Sequence, residues 1–223
     1  MLTDEMRAII DASRERGWVL EPDAKRLLSM AGLDVPRFKW AKSSKEAVTA
    51  ASEIGYPVVA KIISPNVLHK SDAGGVEVGI TDEKRLTEVF KRFKKMEGFE
   101  GILIEEILTG TELIIGSKVD EQFGPVILLG IGGIAVEVYM DTAIRMAPLS
   151  KADVPSMVSS LEAHSLIEGF RGSKAVNMEL LTSTTMKFSE LVMDLGEDVT
   201  SIDLNPVMCT SRRCTVVDAR IIL

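Results

Sequence analysis

Apolar residues recur at helical spacing in the first part of the chain and shift to strand-like runs and alternation in the second. Thr3 is placed to cap a first helix that Gly17 closes. Glu21-Pro22 opens a second helix, with Ala24, Leu27, Leu28 and Ala31 as its apolar stripe and Gly32 as its end. Val35-Pro36 starts an extended segment. Ser43 and Glu46 stand at capping-box spacing before a third helix through Ala47, Val48, Ala51 and Ile54, which Gly55-Tyr56-Pro57 stops. A short apolar strand over 58–63, a polar glycine-bearing loop over 64–75 and a strand over 76–80 follow. Thr81-Asp82-Glu83 then opens a helix ending near Met96. Gly98 and Gly101 mark the domain boundary.

Strands dominate beyond that point. The pattern predicts them over 101–108, 112–119, 126–129, 134–138 and 142–146, with Asp120 to Pro125 as a turn. Ser150 and Asp153 signal a helix start, and a long helix is expected over 176–195. The end reads as a hairpin, 199–208 against 215–221. This order predicts an α+β fold with mixed or antiparallel sheets, and argues against a doubly wound parallel sheet.

Composition narrows the functional classes. The chain has 223 residues, enough to bury a core without staples, and a formal charge of −7. That charge argues against nucleic acid as a partner, which calls for a basic footprint. Lys91, Arg92, Lys94 and Lys95 cluster, but beside Glu88 and Glu97 at helical spacing, as on a solvated helix face. The N-terminal stretch carries Asp4 and Glu5 and lacks a signal-peptide pattern. The longest uncharged run, 123–136, is too short to span a bilayer. A cytoplasmic protein without a membrane partner is the expectation. Cys209 and Cys214 flank an expected hairpin tip, where a disulfide is geometrically conceivable but two free thiols are the default in a reducing compartment.

The chemical candidates are oddities on apolar elements. P-loop, zinc-protease and nucleophile-elbow motifs do not occur, and Gly130, Gly132 and Gly133 form only G-x-G-G, a weak dinucleotide signal. Lys61 interrupts an apolar strand, which suggests a buried strand and a ligand for the ammonium, against the ordinary reading of a solvent-facing lysine. The stretch His69-Lys70-Ser71-Asp72-Ala73-Gly74-Gly75 is the most informative. Its glycines let backbone amides approach an anion, Lys70 adds charge and Ser71 a hydroxyl; the plainer reading is a polar turn. His69 is one of two histidines, and imidazole can act as a nucleophile; His164 has the look of a surface or capping residue. Glu105, Glu106 and Glu112 flank a strand connection, where carboxylates can accept from ribose hydroxyls or simply face water. Asp203, Asn205 and Asp218 lie near the end; paired in a hairpin, Asn205 and Asp218 would offer two hard oxygen ligands suited to Mg²⁺, while Asp218 could instead pair with Arg213 or Arg220.

Taken in order, these stretches resemble the ATP-grasp superfamily, and within it the β subunit of ADP-forming acetyl-CoA synthetase, also called acetate–CoA ligase (ADP-forming). The residues that carry the resemblance are PVVAKIISPNVLHKSDAGGV at 57–76, GILIEEILTGTELIIG at 101–116, FGPVILLGIGGIAVEV at 123–138, RMAPL at 145–149, GFRG at 169–172, DLNPV at 203–207 and VVDARIIL at 216–223. They span nearly the whole chain; only the segment between Met96 and Gly101 is shorter than the family pattern.

The resemblance implies an ATP-grasp fold, two α+β subdomains clamping a nucleotide: an N-terminal helix over 1–19, one subdomain over 20–98 and the other over 99–223. By the same resemblance Lys61 contacts the α/β-phosphates, and the loop with Lys70, Ser71, Gly74 and Gly75 covers them. Glu106 and Leu108 offer backbone to adenine, with Glu105 beside them, and Glu112 holds the ribose. Asn205 and Asp218 match Mg²⁺ ligands, Asp203 supports them, and Arg145 approaches the terminal phosphate. His69 matches a second phosphohistidine that passes phosphate to ADP. The implied reaction is acyl-CoA + ADP + phosphate ⇌ carboxylic acid + ATP + CoA. The implied partner is an α subunit with CoA-binding and ligase domains, in a heterotetramer. Two alternatives remain: a stand-alone ATP-grasp carboxylate–amine ligase, and a non-catalytic nucleotide-sensing subunit. A phosphorylatable His69 separates both from the leading reading.

Overall fold

The computed structural model describes residues 1–67, 69–133, 141–170, 172 and 174–223. The strand expected over 134–138 falls outside the described residues. The chain forms two compact units, residues 36–108 and residues 1–35 together with 109–223.

The unit over 36–108 is built on a four-stranded antiparallel sheet in the order β2-β5-β3-β4. Its strands are β2 (Phe38–Ala41), β3 (Val58–Ile63), β4 (Val76–Ile80) and β5 (Gly101–Glu106). Two helices that follow α1 (Asp4–Ser13) and α2 (Glu21–Met30) in the chain cover it, α3 (Ser44–Ile54) and α4 (Glu83–Phe93). Both start where the sequence caps them: the Glu46 amide donates to the Ser43 hydroxyl at 3.2 Å, and the Arg85 amide to Asp82 at 2.8 Å. Ala47, Ala51, Leu86, Phe90 and Phe93 pack with Ala60, Ile62, Ile102 and Ile104 into one core. The alternate positions of β3 and β5, Val59, Lys61, Leu103 and Glu105, are buried as well, so these strands are enclosed on both faces.

The larger unit carries a seven-stranded sheet in the order β1-β11-β9-β6-β7-β8, with β10 also paired to β9. Its strands are β1 (Trp18–Val19), β6 (Thr111–Asp120), β7 (Gly124–Ile131), β8 (Thr142–Met146), β9 (Ser201–Cys209), β10 (Cys214–Val216) and β11 (Ala219–Ile222). Every ladder is antiparallel. The long helix α7 (Met178–Leu195) follows the short α5 (Asp153–Ser159) and α6 (Ser165–Glu168). Leu181, Phe188 and Leu191 of α7 join Leu113, Ile115, Ile127, Leu129, Ile202 and Leu204 in the core, along with Leu27 and Leu28 of α2. The open face of this sheet therefore carries the alternate residues, among them Glu112, Ile114, Leu128, Ile144, Asp203 and Asn205.

The domain boundaries drawn at 19/20 and 98/99 differ from this division. β5 is the centre of the smaller sheet, bonded to β2 on one side and β3 on the other, so the chain leaves that unit only after Leu108. Residues 20–35 sit with the larger unit because α2 packs beside β11, and because Asp34 forms a parallel bridge with Thr215.

Glu21 and Lys25, one turn apart on α2, form an ion pair at 2.9 Å with side chains 1% and 0% exposed. Removing one member of such a pair leaves a buried charge without its counterion. Lys25→Met should therefore destabilise the larger unit by about 3–5 kcal/mol. Urea unfolding followed by tryptophan fluorescence and circular dichroism measures this; a loss under about 1 kcal/mol would show that the site relaxes without cost.

Candidate functional site

In the smaller unit the site residues gather on β3, β5 and the loop that follows β3. Lys61 stands mid-strand with its ammonium 2.6 Å from the Glu105 carboxylate, the two side chains 6% and 1% exposed. The register sets Lys61 opposite Leu103 and Val59 opposite Glu105, so the two charged residues are diagonal neighbours on one face. The sequence expectation of a buried strand and a ligand for the ammonium holds. The structure supplies that ligand from within as a carboxylate, so Glu105 fixes the lysine and is not a solvent-facing acceptor. Glu106 is held differently. The Arg37 amide and Nε donate to its carboxylate at 3.0 and 3.1 Å, and its own amide donates to the Arg37 carbonyl at 3.1 Å. Its N–H is thus committed, and its carboxylate neutralised. Leu108 lies beyond the strand end and is half-buried.

The loop after β3 keeps its own shape. The Ala73, Gly74 and Gly75 amides donate to the carbonyls of His69, Ser71 and Lys70 at 3.2, 3.1 and 2.7 Å. The expectation that the glycine amides cradle an anion is corrected by this arrangement, since the N–H groups of Gly74 and Gly75 are spent inside the turn. The glycines answer to other constraints. Gly74 has φ +68°, and a Cβ on Gly75 would lie 2.5 Å from Ile62 Cγ2. The side chains of His69, Ser71 and Asp72 are exposed and Lys70 half-buried, so side chains are what the loop presents. Its base is tied down by Ser64, whose hydroxyl donates to the Glu97 carbonyl at 2.7 Å, and by Asn66, which donates to the Glu97 carboxylate at 3.0 Å.

In the larger unit Glu112 is the second residue of β6, on the open face. Its carbonyl accepts from the Gly132 amide at 2.6 Å. A Cβ on Gly132 would stand 2.8 Å from the Glu112 carbonyl carbon, and one on Gly133, where φ is +74°, 2.9 Å from its carboxylate. The G-x-G-G cluster, a weak dinucleotide signal in the sequence, makes room for Glu112. Sequence reasoning named both but had no signal to join them, because the contact is set by the β6–β7 ladder.

Asn205 and Asp218 do come together. The Asn205 amide donates to the Asp218 carbonyl at 3.2 Å, and the Val217 amide to the Pro206 carbonyl at 3.0 Å. Asp203 sits opposite Arg220 in the β9–β11 ladder. Burial pushes its carboxyl above the ordinary range, and the Arg220 charge opposes that shift. Arg145 is the exception among the predicted residues. It pairs with Ile127, whose side chain is in the core, and so points away from the face of Glu112, Asp203 and Asn205. Its guanidinium donates to the Ser156 hydroxyl on α5 at 3.2 Å and to the Ile144 carbonyl at 2.8 Å. A role toward a terminal phosphate is not what this strand register offers. His164 is the half-buried residue before α6; its side chain makes no capping bond to the helix, and its Nδ1 lies 2.9 Å from the Leu161 carbonyl.

Asn205 and Asp218 supply neutral and anionic oxygen, the donor chemistry of a hard divalent cation that keeps waters and borrows phosphate oxygens. Among the described residues no group of three or more His, Cys, Asp or Glu side chains is arranged to hold a metal by itself. The donor types fit Mg²⁺ with the rest of its shell supplied by waters or a ligand's oxygens.

Gly132→Ala should destabilise the larger unit by about 1–3 kcal/mol, because its methyl meets backbone of Glu112. Thermal unfolding measures the loss, and amide exchange should place it at 111–114 and 129–132. An unchanged melting curve would remove the close packing argued for this glycine.

A family model described as ATP-grasp domain matches residues 11–223. The β subunit of acetate–CoA ligase [ADP-forming] I from Pyrococcus furiosus is 40% identical over 226 residues, covering 97% of each chain. The 4-hydroxybutyrate–CoA ligase [ADP-forming] of Nitrosopumilus maritimus is 40% identical over 213 residues, which are 91% of this chain but 30% of that one. Acetyl-coenzyme A synthetase 1 of Ca. Korarchaeum cryptofilum, solved with coenzyme A, Ca-AMPCP and HgCl⁺, superposes with a TM-score of 0.91 at 39% identity, covering 97% of this chain and 99% of the matched one. The same enzyme with coenzyme A and Mg-AMPPCP gives 0.86 at 36% identity over 98% and 99%, its phosphohistidine segment pointing towards the nucleotide binding site. The chain has the ATP-grasp fold and belongs to the family of ADP-forming acetate–CoA ligase β subunits.

Proposed function

We propose that this chain is the nucleotide-binding half of an ADP-forming acyl-CoA synthetase, acting with an α subunit that carries the CoA-binding and ligase domains. The observation that carries the reading is the loop 69–75, an exposed histidine beside Lys70 and Ser71 on a self-bonded turn that follows a strand with a buried lysine. The family membership supplies the reaction, acyl-CoA + ADP + phosphate ⇌ carboxylic acid + ATP + CoA. The P. furiosus relative, itself a β subunit matched over 97% of its length, supports a separate α subunit, whereas the N. maritimus relative, of which this chain spans only 30%, carries further sequence on the same chain. A heterotetramer and a cytoplasmic location go with that reading; among the described residues no helix is long and apolar enough to cross a membrane.

Phosphoryl transfer asks the protein chiefly for positioning and charge neutralisation. Lys61, held by Glu105, sets one cation against the nucleotide phosphates, and Lys70 and Ser71 add a second charge and a hydroxyl donor. Glu112 accepts from the ribose, and the chain beyond Glu106 offers backbone at Leu108 to the base. Asn205 and Asp218 would hold Mg²⁺, with Asp203 beside them; the cation supplies charge neutralisation when bound. On the α subunit, phosphate attacks the acyl-CoA thioester, giving acyl phosphate and CoA. A histidine there takes the phosphoryl group and releases the carboxylate. The imidazole of His69 then accepts that group, freeing the first histidine, and the ADP β-phosphate oxygen takes it from His69 to give ATP. Exposure suits His69 to this relay.

Three variants test this assignment. With the α subunit, His69→Ala should stop ATP formation by about a thousandfold or more while acetyl-CoA and phosphate still label the α-subunit histidine; substantial turnover at saturating ADP would reduce His69 to a phosphate ligand. Lys61→Ala should weaken ADP binding about tenfold or more, read by calorimetry on the chain alone. Asn205→Ala with Asp218→Asn should remove the Mg²⁺ dependence of that binding, and a full Mg²⁺ response would take both residues out of the site.

A further inference from the structure

The hairpin that carries Asn205 on one strand and precedes Asp218 on the other also holds both cysteines of the chain. Cys209 and Cys214 are direct cross-strand partners in the β9–β10 ladder. The Thr210 amide donates to the Arg213 carbonyl at 2.7 Å, so Thr210 and Arg213 form the bonded pair beside the tip. The next pair, 209 and 214, is then the non-hydrogen-bonded kind, where side chains approach most closely. The two thiols are reduced and buried, 1% and 3% exposed. A hydrogen bond with Cys214, and then burial, push the Cys209 thiol far above its ordinary range, so the closed hairpin holds it protonated.

Access depends on the tip. Ser211, Arg212 and Arg213 are exposed, while Asp34 clasps the returning strand: its carboxylate accepts from Arg213 Nε at 3.0 Å and from the Thr215 hydroxyl at 2.5 Å, and the Val216 amide donates to its carbonyl at 2.8 Å. Exposing the thiols requires local opening of residues 209–214, which releases the pairing of Cys209 with Thr111 of β6 and the bond from the Asn177 amide to the Thr210 carbonyl.

We propose that Cys209 and Cys214 form a reversible dithiol–disulfide latch across the β9–β10 hairpin, closed by exchange with a small-molecule disulfide. One cysteine, deprotonated on opening, attacks a sulfur of the oxidant and releases one thiolate. The second cysteine attacks the mixed disulfide and releases the other. The two cysteines are oxidised, the oxidant is reduced to two thiols, and the two cysteine protons pass to the released thiolates. The cross-link removes the open states of the hairpin and steadies the strands that lead to Asn205 and Asp218. The latch stands on the hairpin alone and is independent of the nucleotide reading.

The test uses the reduced full-length chain, incubated with glutathione disulfide at neutral pH, alkylated and mapped after trypsin digestion. Trypsin cuts after Arg212 and Arg213, so a Cys209–Cys214 bond joins two peptides. The expected result is that cross-link, reversed by dithiothreitol, with amide exchange over 205–209 and 214–217 slowed roughly tenfold or more in the oxidised chain. Stable glutathione adducts, or two thiols that still alkylate when the urea-unfolded chain oxidises readily, would overturn the proposal. So would a cross-link that leaves exchange in the hairpin unchanged.

Discussion

The larger unit depends on strand β9, which is bonded to β6 along one edge and to β10 and then β11 along the other. Its register against β6 is broken once. Leu113 pairs with Val207 and Ile115 with Leu204, so Asn205 and Pro206 together oppose Ile114 alone. Such an extra residue bends the strand and frees a position from the ladder. It also gives a proline a place in an interior strand, where its missing N–H would otherwise cost a bond. The Asn205 amide turns instead to the Asp218 carbonyl. Two residues separated by twelve positions of sequence, Asn205 and Asp218, are thus brought side by side by one irregularity between two regular ladders.

Buried charge is handled locally in both units. Lys25 meets Glu21 one helical turn away, and Lys61 meets Glu105 across a strand pair. In each case the carboxylate stabilises a desolvated ammonium whose burial alone would be unfavourable. The two pairs differ in use. Lys25 is fully enclosed, whereas Lys61 lies on β3 just ahead of the loop with His69 and Lys70. Geometry fixed by Glu105 spares Lys61 the rotamer entropy that a solvated lysine would lose on meeting an anion.

Much of the fold was legible because local chemistry decides it. Caps at Ser43 and Asp82 started helices at the positions their spacing indicated, and Lys61 in an apolar run announced an enclosed strand. The domain division was not legible. Gly98 and Gly101 mark a real break in the chain, yet β5 beyond them is the middle of the smaller sheet, and sheet order is set by pairing between distant segments. The face of Arg145 was hidden for the same reason: a one-residue step in register reverses a side chain, and nothing beside Arg145 in the sequence fixes that step. The link between Glu112 and the glycines at 132 and 133 needed the β6–β7 ladder to become visible.

The loop over 69–75 departs from its sequence reading in the use of its backbone. Histidine, lysine, serine and two glycines suggested an anion held by backbone amides. The amides of residues 73, 74 and 75 instead close the turn on itself, and the Ile62 amide donates to the Gly75 carbonyl at 2.8 Å to start the β3–β4 ladder. Gly75 is small because Ile62 leaves no room for a side chain. A loop that spends its backbone donors internally has a defined shape before any ligand arrives, and its exposed side chains remain available for chemistry. That division of labour leaves the geometry of the turn independent of whatever its exposed side chains meet.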